Sequence, residues 1–364
     1  MGFELPKYTE PEFASERLAS SPDARLERVV KPGVAPEGYH ATTIYPEYIK
    51  VGGRWLLANE SRMDCVIVAR DGDVLEVKEF RRLEPGEMVL VGRSEDGSEG
   101  ILVYAEGFSY DGGPTEPFVF RTGRTRETAY SMDYDRLYDL LDFERENGYV
   151  VWVLGPAVAF DSDSRQAMSG LIENRFVDAV LAGNALVTHD LEASIFKTGL
   201  GQNIYTQVSE AGGHYNHLDT LNRAREARSI EELIRRENVD DGIVAACVKA
   251  GVPLVTAGSI RDDGPMPETI GDVYASQDAM RAHARKATTL IALATQLHAI
   301  AAGNMTPSYQ VVDGQVRPVY IYVVDVSEFA VNKLRDRGTL EVTSIVTNVQ
   351  DFLVLLGAAC SDAK

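Results

Sequence analysis

The run Tyr149–Leu154, YVVWVL, constrains this chain more than any other feature. An apolar run with no polar alternation suits a strand covered on both faces, and such strands belong to parallel sheets flanked by helices. Similar short segments recur at Val177–Ala182, Pro253–Ala257, Val319–Val324 and Leu340–Val346. Helical patterns alternate with them at Tyr134–Glu146, Ser164–Asn174, Ile230–Arg236, Gly242–Ala250, Ala284–Ala302 and Glu328–Arg335. This alternation predicts an α/β fold, a doubly wound parallel sheet, over residues 122–364.

Upstream the texture differs. Tyr48–Val51, Cys65–Ala69, Val74–Phe80, Met88–Val91 and Gly100–Ala105 are short runs rich in Val and Ile, separated by Gly52-Gly53, Asp71-Gly72, Pro85-Gly86 and Asp96-Gly97. Strands broken by glycine turns at this spacing predict a smaller β-rich domain over residues 38–121, with a hairpin at Asp71-Gly72. Residues 1–37 are polar and proline-punctuated, and read as an extension packed on the surface or partly mobile.

Composition narrows the partners. Fifty-five acidic against 36 basic residues give a formal charge of −19, which repels nucleic acid and anionic membranes. The longest apolar stretch, Thr288–Gly303, contains Gln296 and His298; it is short for a membrane span and reads as a buried helix. Cys65, Cys247 and Cys360 are too scattered for a disulfide framework or a zinc site. MGFELPKYTEPEF lacks the basic patch and apolar run of a signal peptide, so a cytoplasmic location is expected. A homodimer or higher homo-oligomer is the default for such a chain.

Ligands of open parallel sheets bind beyond the carboxyl ends of the strands. The predicted strands are followed there by Gly155-Pro156-Ala157, by Gly183-Asn184 with His189-Asp190 beyond, by Gly258-Ser259-Ile260-Arg261-Asp262-Asp263, and by Asp325. Glycines admit a phosphate group to the backbone, and a terminal carboxylate can hold ribose hydroxyls, so the pattern describes a nucleotide-sized site. Asp325 is equally suited to cap a helix with Ser327. No G-x-G-x-x-G follows the first strand, which continues GPAVAF. In GSIRDDGPMP (Gly258–Pro267), Arg261 beside Asp262 and Asp263 offers a carboxylate clamp and a base. His189, His214 and His217 suit a plain structural role or a polar role near a cofactor better than a metal site, because no cysteine or carboxylate cluster completes a ligand set. Cys65 alternates like a core residue. Asn304, after the long apolar helix, is placed either to return to the ligand or to cap the helix end.

Taken together, ATTIYPEY (Ala41–Tyr48), MDCVIV (Met63–Val68), GPAV (Gly155–Val158), LAGNALVTHDLE (Leu181–Glu192), AGSIRDDGPMP (Ala257–Pro267), LHAIAAGNMTPS (Leu297–Ser308) and VDVSEFAVNKLRDRG (Val324–Gly338) resemble one family across roughly residues 38–357. It is the family of the conserved region shared with lysine-ketoglutarate reductase/saccharopine dehydrogenase, which includes the archaeal-type ornithine cyclodeaminases and the carboxy-terminal module of cyanobacterial arginine dihydrolase fusions. GNALVTHD also resembles the nicotinamide-binding core of deoxyhypusine synthase. The resemblance implies a Rossmann-like domain holding NAD without a glycine-rich fingerprint. It further implies a redox-neutral cyclisation: Cα–H of ornithine leaves as hydride, the δ-amine attacks the α-imine, ammonia departs, and the hydride returns to give proline.

On this resemblance Arg261 is the clamp and Asp262 or Asp263 the base. Asn184, His189 and Asp190 line the nicotinamide end, Asp325 holds the adenosine ribose, and the β-rich domain closes the site with Arg62, Asp64 or Lys50 toward the substrate. The chain departs from the family pattern where Ile44 and Tyr45 stand in a block that carries an Asn, in AFDSDS after GPAV where further glycines and a histidine are expected, and in GHYNHL where another histidine is expected. Asp161 and Asp163 in AFDSDS would repel a pyrophosphate unless they cap the next helix. Other readings of the same residues are a different NAD-dependent amine or imine oxidoreductase, an amine-transfer enzyme, and an NAD-binding regulator.

Overall fold

In a computed structural model of the chain, residues 2–71, 74–109, 131–262, 264–327 and 339–361 are described. Asp263, Gly72 of the predicted turn and the helix expected at Glu328–Arg335 lie outside them, as does the boundary expected near residue 121.

The amino-terminal region is antiparallel. Arg25–Arg28, Met88–Val91, Val66–Arg70 and Val74–Lys78 form one sheet in that order, and Arg54–Leu57, Glu47–Val51 and Ile101–Val103 form another. Ile49, Cys65, Ile67, Leu90 and Ile101 fill the space between them. The expected hairpin is present, with Arg70 facing Val74 across the ladder. Within residues 1–37, Arg25–Arg28 supplies an edge strand and Lys7–Tyr8 pairs with Phe108–Ser109.

The second region contains six parallel strands: β1 (Val150–Leu154), β2 (Ala179–Gly183), β3 (Leu254–Ala257), β4 (Thr289–Leu293), β5 (Tyr320–Asp325) and β6 (Glu341–Val346), in the order β3-β2-β1-β4-β5-β6. Among the described residues its helices are α1 (Ser131–Asn147), α2 (Ser162–Glu173), α3 (Asn184–Phe196), α4 (Asn216–Ala227), α5 (Ile230–Glu237), α6 (Ile243–Ala250), α7 (Val273–Ala284), α8 (Gln296–Met305) and α9 (Val349–Ser361). β1 is buried on both faces. Trp152 and Leu154 pack with Leu171, Ile243 and Phe352 on one side, and Val151 and Val153 pack with Met280, Ala299 and Ala302 on the other. No helix among the described residues is long and apolar enough to cross a membrane.

One expectation is corrected. The stretch read as a single buried helix, Thr288–Gly303, is strand β4 followed by α8. An unbroken apolar run satisfies a buried strand and a buried helix equally. The break falls at Ala294, a non-glycine residue with φ of 50°, which nothing in the local composition announces.

The two regions are joined by polar contacts. Ser308 N and Oγ both donate to Ser61 O at 2.9 Å, and the Tyr309 hydroxyl donates to Ala58 O. Glu60 pairs with Arg285, and Arg81 and Arg82 reach Asp278 on α7. Arg81 also stacks over Tyr274. The β-rich region is thus fastened to the flank of α7 from Tyr274 to Arg285 and toward the amino ends of the strands. Below α1, the buried Glu144 accepts from Thr288 at 2.8 Å, from Thr289 at 2.9 Å and from Arg317, which ties α1 to the start of β4.

Candidate functional site

In the order 3-2-1-4-5-6 the connections reverse direction between β1 and β4, and a crevice opens beyond their carboxyl ends. Gly155 forms its floor. Its amide donates to Leu293 O at 2.8 Å, and a β-carbon there would stand 1.9 Å from Ala294 O. Only glycine permits this approach of two strand ends. Pro156 opens a short 3₁₀ turn through Ala159, where a proline's fixed φ and missing N–H cost nothing.

Gly183, at the end of β2, is the N-cap of α3. A β-carbon there would lie 2.8 Å from Cε1 of His298, so the imidazole rests directly over the strand end. His298 stands one turn into α8, with Nδ1 3.4 Å from the Thr295 hydroxyl. Burial pushes its pKa below the usual imidazole value, while the carboxylate of Asp262 pulls it back up. His298 was missed in the sequence because it was placed inside a continuous helix. Ending the preceding strand at Leu293 puts it at a strand-to-helix junction, where ligand contacts concentrate.

The loop after β3 faces this imidazole. Gly258 donates to Ile270 O at 2.9 Å, which folds the loop back on itself. Ser259 N donates to Asp262 Oδ2 at 2.7 Å, and Arg261 N to Ser259 Oγ at 3.2 Å, while the Arg261 side chain is exposed. Asn184 anchors the far end of the loop by accepting from Met266 N at 2.8 Å and from the Thr269 hydroxyl at 3.2 Å.

His189 lies beyond the β1 turn, edge-on to Phe160 with ring centroids 5.3 Å apart. Its Nδ1 is 2.8 Å from the buried Glu192, which also accepts from the Thr198 hydroxyl and the amides of Leu200 and Gly201. His217, expected in a loop, sits on the first turn of α4 with its ring 6.0 Å from His189. His214 lies against Tyr215 with the rings tilted at 38°.

Other expected residues have different roles. Asp190 does not line the cofactor end: it is buried against Arg165 Nε at 2.8 Å and accepts from the amides of Ile243 and Val244, so it caps α6. Successive helical residues point about 100° apart, so His189 and Asp190 face different neighbours. Asn304 does not return to the crevice. It precedes Ser308, which accepts the amide of Val319 just before β5, and so it lies toward the amino ends of the strands. There it lines a cavity with Arg62 and Asp64. Lys50 donates to the carbonyls of Leu18, Ala19 and Ser21, fixing the amino-terminal segment. Asp325 keeps its expected place at the carboxyl end of β5, where it accepts from Ser327 N at 2.8 Å. Asp161 accepts from Ser164 N at 2.9 Å and so caps α2. The buried Cys65 thiol is pushed up to about 11, which suits a core residue.

Gly155 and Gly183 let Ala294 and His298 close in on the strand ends, and α3 and α8 both start there, so their amino termini favour an anion. Fold and site define a Rossmann-fold protein with a nucleotide crevice at the reversal of strand order. The family model described as arginine dihydrolase ArgZ-like, C-terminal, Rossmann fold, matches residues 137–356, and the chain belongs to that family. It is 36% identical over 341 residues to an ornithine cyclodeaminase of Methanopyrus kandleri, covering 91% of this chain and 77% of that one. The structure of a conserved LOR/SDH protein from Methanococcus maripaludis superimposes with a TM-score of 0.84 at 33% identity, covering 94% of this chain and 99% of that one. AgrE of Nostoc, solved as a ternary complex with ornithine and NAD+, gives a TM-score of 0.59 at 31% identity over 94% of this chain and 46% of AgrE.

Proposed function

We propose that the chain converts ornithine to proline and ammonia in the crevice beyond β1, β2 and β4. The chain is an enzyme, and NAD is its cofactor. When bound, NAD supplies a two-electron acceptor and donor at the substrate's α-carbon, so that no net oxidation accompanies loss of ammonia. Gly155, Pro156, Ala157, Gly183, Asn184, Gly258 and Ser259 would hold it at the strand ends, with Asp325 at the ribose.

The observation that carries the reading is the imidazole of His298 lying between Gly183 and the Asp262 loop. Cyclisation requires a group that takes a proton from the substrate ammonium at neutral pH, and a partly desolvated imidazole does so. Asp262 keeps that imidazole from losing all its basicity, and Arg261 on the same loop is the clamp for the substrate carboxylate. His189, oriented by Glu192, supplies a second imidazole at the Phe160 wall. The formal charge of −19 favours approach of a cationic diamino acid.

Incubating the purified chain with ornithine and a catalytic amount of NAD tests the reading. Proline and ammonia are expected in equal amounts, with no accumulation of NADH. Absence of ammonia from ornithine, with NAD bound, sinks it.

A further inference from the structure

The seam between the β-rich region and α7 encloses a cavity of about 170 Å³, bordered by Arg62, Asp64, Glu79, Arg281 and Asn304. Arg62 and Arg281 are only 3% and 5% exposed. Both guanidiniums bind the same oxygen of Glu79, at 2.5 Å and 2.7 Å. Arg281 also reaches Asp278 at 3.2 Å, and Arg81 and Arg82 crowd the same carboxylate, so Glu79 and Asp278 face four guanidiniums and leave the cluster short of negative charge. Nε of Arg281 is buried without a hydrogen-bond partner. Burial holds the Arg281 pKa below the ordinary guanidinium range; Arg62, Arg82 and Arg81 push it the same way, and Glu79 opposes them. Buried charges are ordinarily paired, and an unmet buried donor is costly. A carboxylate is the group that two guanidiniums bind best, through parallel N–H donors.

Asp64 stands on the rim of the same cavity, in the left-handed region with φ of 64°. An acid beside a pair of arginines favours a zwitterion over a simple anion such as phosphate, which it would repel. The volume suits a small amino acid and is far too small for a dinucleotide. We propose that this seam binds a free α-amino acid, with its carboxylate on Arg62 and Arg281 and its ammonium at Asp64. Because Arg62 and Asp64 come from the β-rich region and Arg281 from α7, the ligand bridges the two regions. Binding would then stabilise their junction through mass action. The site is distinct from the crevice, lying toward the amino ends of the strands.

Calorimetric titration of the full chain without NAD tests this, using L-alanine, L-proline, L-ornithine and inorganic phosphate separately. One L-alanine per chain is expected to bind, and phosphate to bind at least tenfold more weakly. Arg281→Gln should weaken amino-acid binding at least tenfold. Asp64→Asn, at an exposed position where asparagine tolerates the backbone angle, should weaken it similarly without affecting folding. His298→Ala, in the crevice, should leave the binding of L-alanine, which is neither substrate nor product of the proposed reaction, unchanged. Three results overturn the proposal: no amino-acid binding to the unaltered chain, phosphate binding in preference, or binding that survives Asp64→Asn and Arg281→Gln but is lost in His298→Ala. None of these readouts uses turnover, so failure here is separable from failure of the ornithine reading.

Discussion

The imidazole of His298 and the bare backbone of Gly183 are in direct contact, with 2.8 Å between Cε1 and the place a β-carbon would occupy. A side chain of any size at 183 therefore displaces the ring. Gly183→Ala is expected to lower kcat by about 100-fold, the effect of roughly 1 Å of misplacement in a reacting group. The flexible imidazole can swing away, so the melting temperature should change little. Ammonia release and thermal unfolding, measured side by side, check this; a large fall in melting temperature with normal kcat counts against it.

The pH dependence of turnover follows from the same imidazole. His298 has its pKa lowered by burial, so the neutral ring extends below the usual value of 6.5. The acid limb of kcat/KM is therefore expected below pH 6.5. Asp262→Asn removes the charge that raises this pKa, and the limb should move further toward acid. A limb that moves upward refutes the coupling. The sign for stability agrees: the lowered folded-state pKa gives a contribution present above 6.5 and lost as pH falls through the folded value.

Asp190→Ala tests whether that carboxylate belongs to the fold. It would leave Arg165 buried without its main partner and two amides of α6 uncapped. A loss of about 3–5 kcal/mol is expected, the range for breaking a buried ion pair from one side. Denaturant unfolding measures it. NAD affinity of the folded fraction should stay within a few-fold, whereas a cofactor contact would show the opposite pattern.

Gly155→Ala places a methyl group against the backbone of Ala294, and no side-chain rotation relieves it. A destabilisation of about 3 kcal/mol is expected, the upper end for forcing atoms into a packed site. NAD binding should weaken with it, since β1 and β4 must separate at the crevice floor. An unfolding midpoint equal to that of the unaltered chain would show that the two strand ends are looser than described.

Much of the fold is legible in the sequence because its signals are local. Met88–Val91 and Val150–Leu154 read as strands from composition and bounding glycines, and the structure has them there. β4 is not legible, since Thr289–Leu293 and the following helix are both apolar and the hinge at Ala294 carries neither glycine nor proline. That one ambiguity also concealed His298. Side-chain direction is harder still: THD gives no sign that His189 turns to Glu192 while Asp190 turns to Arg165. Lys50 sits in an expected strand, yet its partners lie in the amino-terminal segment, beyond the reach of any periodicity.

The strand order has a consequence for how the chain is assembled. The hairpins of the β-rich region pair residues that are near neighbours in sequence and can form while later parts are still being synthesised. β1 and β4 are adjacent in the sheet, yet two other strands of that sheet and several helices separate them along the chain. Such distant pairings are slow, because a large loop must close before any contact rewards it. The crevice floor at Gly155 and Ala294 is therefore among the last features to be completed. Until β4 arrives, β1 offers an unpaired apolar edge, and in this interval the chain is most exposed to misassociation with other unfinished copies.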